Sequence, residues 1–185
     1  MSGRARNAKH GFSLIELTIV ISILGPLMGG AAMAFWSATR VAEDGRNRLD
    51  VTASDRRACT AFRRALQNAS LDTVSNLDVV GPSHSPRFRI VEEFAGGAAV
   101  LSEEMELVYE RRVADLDGAG PAGRVILRLV GNASGMTLAP VVKEGSFLVT
   151  LEGRLCVVSF LTMAQIRDDA PLTIQSRAPI LLENP

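Results

Sequence analysis

Few residues of this chain are equipped for chemistry, and the most informative of them is a carboxylate. Glu16 is the only charge between Phe12 and Trp36, in the run FSLIELTIVISILGPLMGGAAMAFW. A charged side chain inside a hydrocarbon layer costs roughly 2.5–3.5 kcal/mol on insertion scales. Glu16 therefore needs a cationic partner, or must snorkel to the interface. The histidines are His10 and His84. No nucleophile motif accompanies His84, which sits in the turn-like SHSP, so a serine–histidine–acid site is not expected. The acid pairs Glu92-Glu93, Glu103-Glu104 and Asp168-Asp169 read as solvated charge. Asp115, Asp117 and Gly118 resemble the opening of a calcium loop, but the later ligands and the closing glutamate are missing, so a turn is the reading. Cys59 and Cys156 lack the paired spacing of a zinc site. This inventory points away from an enzyme, and it implies no cofactor and no metal.

The elements that carry these residues follow from an uneven spread of apolar side chains. The chain has 185 residues, 20 basic and 20 acidic, with a formal net charge of zero. That fits one domain with an appendage and gives no overall attraction to nucleic acid. Residues 1–11, MSGRARNAKHG, carry Arg4, Arg6 and Lys9 and no acid. From Leu17 to Trp36 run 20 uncharged residues, enough to cross a bilayer as a helix. Basic residues before the span and mixed charge after it (Arg40, Glu43, Asp44, Arg46) favour a cytoplasmic N-terminus, with the bulk of the chain outside the cytoplasm. A secretory signal would have a shorter apolar core and a small-residue cleavage site. Here Gly29, Gly30, Ala31 and Ala32 are followed by Met33, Phe35 and Trp36. A plain membrane anchor leaves Glu16 unexplained.

Gly11, Phe12 and Glu16, with the basic leader before them and the apolar run after, resemble the type IV prepilin signal. The resemblance implies that a membrane aspartyl prepilin peptidase cuts between Gly11 and Phe12 and methylates the new amino group of Phe12. His10 would leave with the leader. The mature chain would keep its apolar helix, first as a membrane anchor and later as the core of a helical filament. Charge supports this independently. A freed α-amino group has an unperturbed pKa of about 7.7–8.0. Phe12 would then be cationic at neutral pH, and Glu16, four residues on or in a neighbouring subunit, would pair with it. Such a pair is worth far more in an apolar surrounding than in water. Many members carry a helix-weakening proline at a place that would fall near Met33. Here Pro26 comes earlier, with Gly25, Gly29 and Gly30 around it, so a bend or a stretch that melts during assembly is expected there, or a static kink.

Beyond Trp36 the helical pattern continues. Val41, Leu49, Cys59, Phe62, Leu66 and Ala69 recur at roughly helical spacing, with Arg48, Asp55, Arg56, Arg63 and Arg64 between them. A helix from Phe12 to about Ser70 would be roughly 85–90 Å long at 1.5 Å per residue. The arginines 56, 57, 63 and 64, interleaved with Asp50 and Asp55, read as a solvated face rather than a nucleic-acid site. From about Leu77 short apolar runs alternate with turn residues. The expected strands are Arg87–Val91, Ala98–Leu101, Met105–Arg112, Arg124–Val130, Met136–Val142, Ser146–Leu151 and Arg154–Leu161, with a short edge at Ile180–Leu182. Turns are expected at Asp117-Gly118, Gly131-Asn132 and Glu152-Gly153, and Gln165–Pro179 reads as a long irregular loop. The fold class is α+β, a long N-terminal helix packed on an antiparallel β-sheet head. The expected divisions are 1–11 leader, 12–36 membrane and filament helix, 37–72 amphipathic continuation, and 77–185 periplasmic head.

The order of pieces narrows the resemblance. LDVTASDRRACTAFRRALQNAS, SEEMELVYERR, RVILRLV and EGSFLVTLEGRLCVVSFL in that order resemble a minor pseudopilin of type II secretion, J type. This implies a structural subunit at the tip of a short periplasmic filament, anchored in the bacterial inner membrane. Its partners would be the prepilin peptidase, the I- and K-type minor subunits, the major pseudopilin and secreted cargo, with no nucleic acid. The H type is also compatible with the length. The alternatives are a minor type IV pilin priming a surface or DNA-uptake pilus, and a membrane-anchored periplasmic binding module. In that oxidising compartment Cys59 and Cys156 are candidates for a disulfide worth roughly 2–4 kcal/mol, the other reading being two buried free thiols.

The Gly11/Phe12 junction behind a basic leader generates the first prediction. Mass spectrometry of the protein from cells with an active peptidase is expected to show a chain beginning at N-methylated Phe12. Gly11→Val is expected to leave Met1 or its processed neighbour as the terminus, because a larger side chain crowds the peptidase site. A wild-type chain that keeps its leader under those conditions refutes the processing.

Overall fold

The computed structural model describes residues 13–77, 84–96, 98–116, 120–164 and 172–184. Its first element, α1, spans Leu14–Leu66 and remains helical through Pro26 and the neighbouring glycines 25, 29 and 30. The chain divides into two compact units, the first ending at Gly45 and the second running from Arg46 to Pro185. The described part of the first unit is the apolar helix, whose large side chains stand exposed from Leu14 to Val41. The second unit holds the rest of α1 and the strands.

Within the second unit α1 has one buried stripe: Val51, Ala58, Phe62 and Leu66. Their spacing of seven, four and four residues returns to the same helix face. Val41 and Leu49, expected on that face, are instead exposed, at 69% and 71%. The helix also ends earlier than Ser70. The backbone beyond it is taken by the head strands rather than by another helical turn: Val91 N–H donates to the Asn68 carbonyl at 2.9 Å, and Ser70 N–H donates to the Arg89 carbonyl at 2.9 Å. A short 3₁₀ turn, Leu71–Thr73, follows.

The strands are β1 Arg87–Phe88, β2 Val91–Ala95, β3 Ala98–Leu101, β4 Met105–Leu116, β5 Gly120–Leu129, β6 Met136–Lys143, β7 Leu148–Glu152, β8 Leu155–Ala164 and β9 Leu172–Leu181. Seven of them make one antiparallel sheet in the order β1-β4-β5-β6-β8, with β7 and β9 also pairing β8. β2 and β3 form a separate hairpin. The expected single strand Arg87–Val91 is thus two, because the chain leaves the main sheet at Arg89-Ile90.

The larger correction concerns the C-terminal segment. The sequence predicts a loop over Gln165–Pro179, yet β9 pairs β8 residue by residue from Ala164↔Leu172 to Leu155↔Leu181. The alternation in LTIQSRAPIL is there, but Ser176 and Ala178 fill two of its three buried positions, Ile180 being the third, and Pro179 argues against a strand. Small residues suffice because α1 comes close, and proline is tolerated because β9 has no described neighbour on its other side. Residues 165–171 lie outside the described ones. So does the expected Asp117-Gly118 turn, although Leu116 and Gly120 on either side of it are paired. Gly131 and Gly153 have φ of 90° and 61°, the left-handed geometry that their turns require.

Packing closes around Phe62. Its ring centroid lies 6.2 Å from that of Phe147 and 5.4 Å from that of Phe160. Leu107, Val125, Val142, Val158, Ala178 and Ile180 complete the core around it. Such aromatic contacts add to area burial. Phe62→Ala is accordingly expected to cost about 3–5 kcal/mol, the range for truncating a buried phenylalanine. Urea unfolding of the detergent-solubilised chain, followed by near-ultraviolet circular dichroism, checks it. A loss below about 1 kcal/mol, near the mean for any point substitution, would mean that the helix is not held by this contact.

Candidate functional site

Gly11 and Phe12 lie outside the described residues, so the junction itself is not placed. Glu16 is placed, in the first turn of α1. Its Oε2 accepts the Ser13 backbone N–H at 3.0 Å, while the Ser13 hydroxyl oxygen accepts the Ile15 N–H at 3.4 Å. These are the two arms of a capping box, in which serine and glutamate three residues apart satisfy N–H groups that the helix cannot use. A negative charge there also meets the positive end of the helix dipole. The signal for it is the S-x-x-E pattern of Ser13–Glu16, present in the sequence. The geometry turns the carboxylate back to the first residues of the helix.

The apolar stretch that follows has no neighbour among the described residues. None of its most hydrophobic window is buried within the protein. A helix apolar all round belongs in lipid or among other helices. Pro26 lies within it, and the positions where a Cβ would stand on Gly25, Gly29 and Gly30 have nothing within 4 Å. The outer part bears Trp36, with the Arg40 guanidinium 4.6 Å from its ring centroid.

In the head, the expectation of a solvated face for α1 holds for its arginines and fails for one acid. Asp55 stands between Val51 and Ala58 on the buried stripe, four residues after one and three before the other. Its Oδ1 accepts the Thr162 hydroxyl of β8 at 3.3 Å and the Ser176 hydroxyl of β9. Thr162 and Ser176 are both buried. No sequence signal separates Asp55 from Asp50, because the hydroxyls that receive it are 107 and 121 residues away. Arg56, Arg57, Arg63 and Arg64 are exposed as expected.

Cys59 and Cys156 are both free thiols, Cys156 in the core and Cys59 packed against it. Burial pushes the Cys156 thiol up to about 11. Burial also raises that of Cys59, and the neighbouring Asp55 carboxylate adds to this. His84 is fully buried against Phe147. Its Nε2 accepts the Val149 N–H at 3.0 Å, so the ring works as a core acceptor for a strand. Glu92, Glu93 and Glu103 are exposed and Glu104 is half-buried, while Asp168 and Asp169 lie outside the described residues. The same holds for Asp117 and Gly118. Among the described residues no three His, Cys, Asp or Glu side chains gather as metal ligands. On the sheet face away from α1, Arg128 pairs with Glu106 at 2.8 Å and Arg124 with Glu110 at 2.7 Å, as cross-strand neighbours.

Comparison with known proteins adds one finding. The prokaryotic N-terminal methylation motif matches residues 6–32. No curated protein and no solved structure matches the chain significantly. Residues 6–32 therefore carry a type IV prepilin-like signal. Such a signal implies processing by a prepilin peptidase and assembly into pilus-like filaments. The motif together with the long apolar helix fits a membrane-anchored protein.

The thiol environments yield a sharp expectation. At pH 8 a thiol with a pKa near 11 is ionised to about one part in a thousand, and the thiolate is the reactive form. The native protein, purified without reductant, is expected to leave Cys156 unlabelled by a thiol reagent over minutes. Denaturation without reductant is expected to release two reactive thiols. Finding none after denaturation would establish the disulfide instead.

Proposed function

We propose that this chain is a minor pseudopilin, a structural subunit at the tip of the periplasmic filament that supports protein export through a type II secretion system. The observation that carries the reading is the methylation motif running straight into α1, whose later turns pack on an antiparallel head. The J-type assignment, the I- and K-type partners and the inner-membrane location with a periplasmic head rest on the resemblance in the order of the head segments. A minor pilin of a surface or DNA-uptake pilus shares the same N-terminus.

The mechanism places two demands on Glu16. In the uncut chain its carboxylate caps α1 through the Ser13 N–H. Cleavage before Phe12 would put a new ammonium group one residue ahead of Ser13, within the same first turn of chain. The carboxylate then has a true cation to meet, on its own chain or on the subunit beside it. Among apolar helices that attraction is strong enough to align one subunit against the next. Extraction from the membrane into the bundle keeps the apolar helix dry throughout, so a separate motor need supply only the work of moving the subunit.

Glu16→Ala and Ser13→Ala separate the two demands. Both lose a capping arm, at about 0.5–2 kcal/mol of helix stability. Only Glu16→Ala removes the charge, so it alone is expected to abolish co-purification with other minor subunits and to reduce export, with leader removal and head folding intact. Equal behaviour of the two variants would reduce Glu16 to a cap. Deletion of the gene is expected to stop protein export and spare surface pili. Loss of pili with export intact would favour the pilus reading.

A further inference from the structure

We propose that Trp36 and Arg40 form a phospholipid headgroup site at the end of the membrane span remote from Glu16, with the Arg40 guanidinium taking the lipid phosphate. The inference rests on the reading of α1 as a membrane anchor and goes beyond it, since it fixes where the span stops and what holds it there. The 23 residues from Leu17 to Thr39 carry no charge. Glu16 and Arg40 bound them, about 36 Å apart along a helix rising 1.5 Å per residue. A hydrocarbon core is about 30 Å thick. Both charges can therefore stand at the polar boundaries at once, on opposite sides of the bilayer. That placement removes the cost of a carboxylate in lipid, and it puts Trp36 about 6 Å inward from Arg40, at the depth where tryptophan collects in membrane proteins.

The side chains are arranged for that position. Arg40 lies over the Trp36 ring at 4.6 Å, within the range of a cation–π contact. Trp36 is nonetheless 65% exposed, so its free face and edge are open to lipid. Ala32 and Ser37 are small, and an open groove of about 560 Å³ runs past them, Trp36 and Arg40. It has room for an acyl chain on its apolar side and a phosphate beside the guanidinium. Asp44 also lines the groove one turn further out, and its charge repels an anion there. The favoured phosphate position is thus beside the Arg40 guanidinium, on the side away from Asp44. Stacking on the indole holds the planar guanidinium in place and leaves its outer donors for a phosphate oxygen.

Trp36 is the only tryptophan, so its fluorescence reports this site alone. The full chain is reconstituted into phosphatidylcholine vesicles containing brominated phosphatidylcholine or brominated phosphatidylglycerol. Flotation after alkaline washing tests the anchor itself, and a chain that does not float overturns that reading. In vesicles that float, bromines near the glycerol are expected to quench Trp36 more than bromines near the bilayer centre. The anionic lipid is expected to be preferred about fivefold at the site, the advantage of one basic residue near a charged surface. Arg40→Gln is expected to bring that preference to parity and Arg40→Lys to retain most of it, with the head's circular dichroism unchanged in both. Inorganic phosphate at about 100 mM, an ionic strength at which long-range effects fade, is expected to leave the preference in place once matched for salt. Strongest quenching from the bilayer centre, equal preference in wild type and Arg40→Gln, or loss of preference to free phosphate would each overturn the headgroup site while leaving the anchor standing.

Discussion

Phe62 touches both Phe147 and Phe160, and that contact lets one helix serve two different surroundings. α1 is apolar on every side in its early turns and striped in its later ones. Among the described residues it is the stripe, Val51, Ala58, Phe62 and Leu66, that is buried. Were the later turns as uniformly apolar as the first, the head would have no unique face of the helix to pack on, and the two surroundings could not be told apart. The stripe is narrow, with alanine at position 58 between Val51 and Phe62, so the helix lies close to the sheet. On β9 it meets Ser176, whose hydroxyl donates to Asp55, and Ala178 in the core.

Asp55 shows how the docking is made specific. An aspartate on a core-facing stripe costs stability unless its oxygens are bonded. Here hydroxyls from two neighbouring strands, β8 and β9, reach one oxygen. A helix rotated by one residue, or shifted by one turn, would bury the carboxylate without them. Apolar contacts alone tolerate such slips, because they are not directional. The carboxylate therefore selects one alignment of helix on sheet. On the opposite face of the same sheet Glu106 and Glu110 meet Arg128 and Arg124 across the β4–β5 pair, so directional charge favours the strand register as well.

Glu16 is subject to the same logic at the other end of α1. A carboxylate that caps its own helix through Ser13 is bound one residue away, in sequence, from the junction that processing would cut. The capping bond keeps it satisfied while the chain is intact, and exchanging a backbone N–H for an ammonium group nearby costs little. The proposed filament contact adds a positive charge to a carboxylate that already accepts one donor.

The N-terminal part of this protein is legible residue by residue, since everything that distinguishes it is local. A basic leader, Gly11-Phe12, a lone Glu16 and 20 uncharged residues are contiguous, and a helix satisfies its own backbone without help from distant chain. The capping box too is contained within four residues. The α+β class and most strands of the head are likewise carried by alternation and turn chemistry. What depends on distant partners is not legible. β9 reads as irregular because two of its three buried side chains, Ser176 and Ala178, are small and Pro179 interrupts the pattern before Ile180. Asp55 reads as solvated because Thr162 and Ser176 are far along the chain. Val41 and Leu49 fit one helical period with Phe62 and Leu66, yet only the latter two, joined by Val51 and Ala58, face the core. Periodicity names a set of helix faces, and only the sheet, by occupying one of them, decides which is inside.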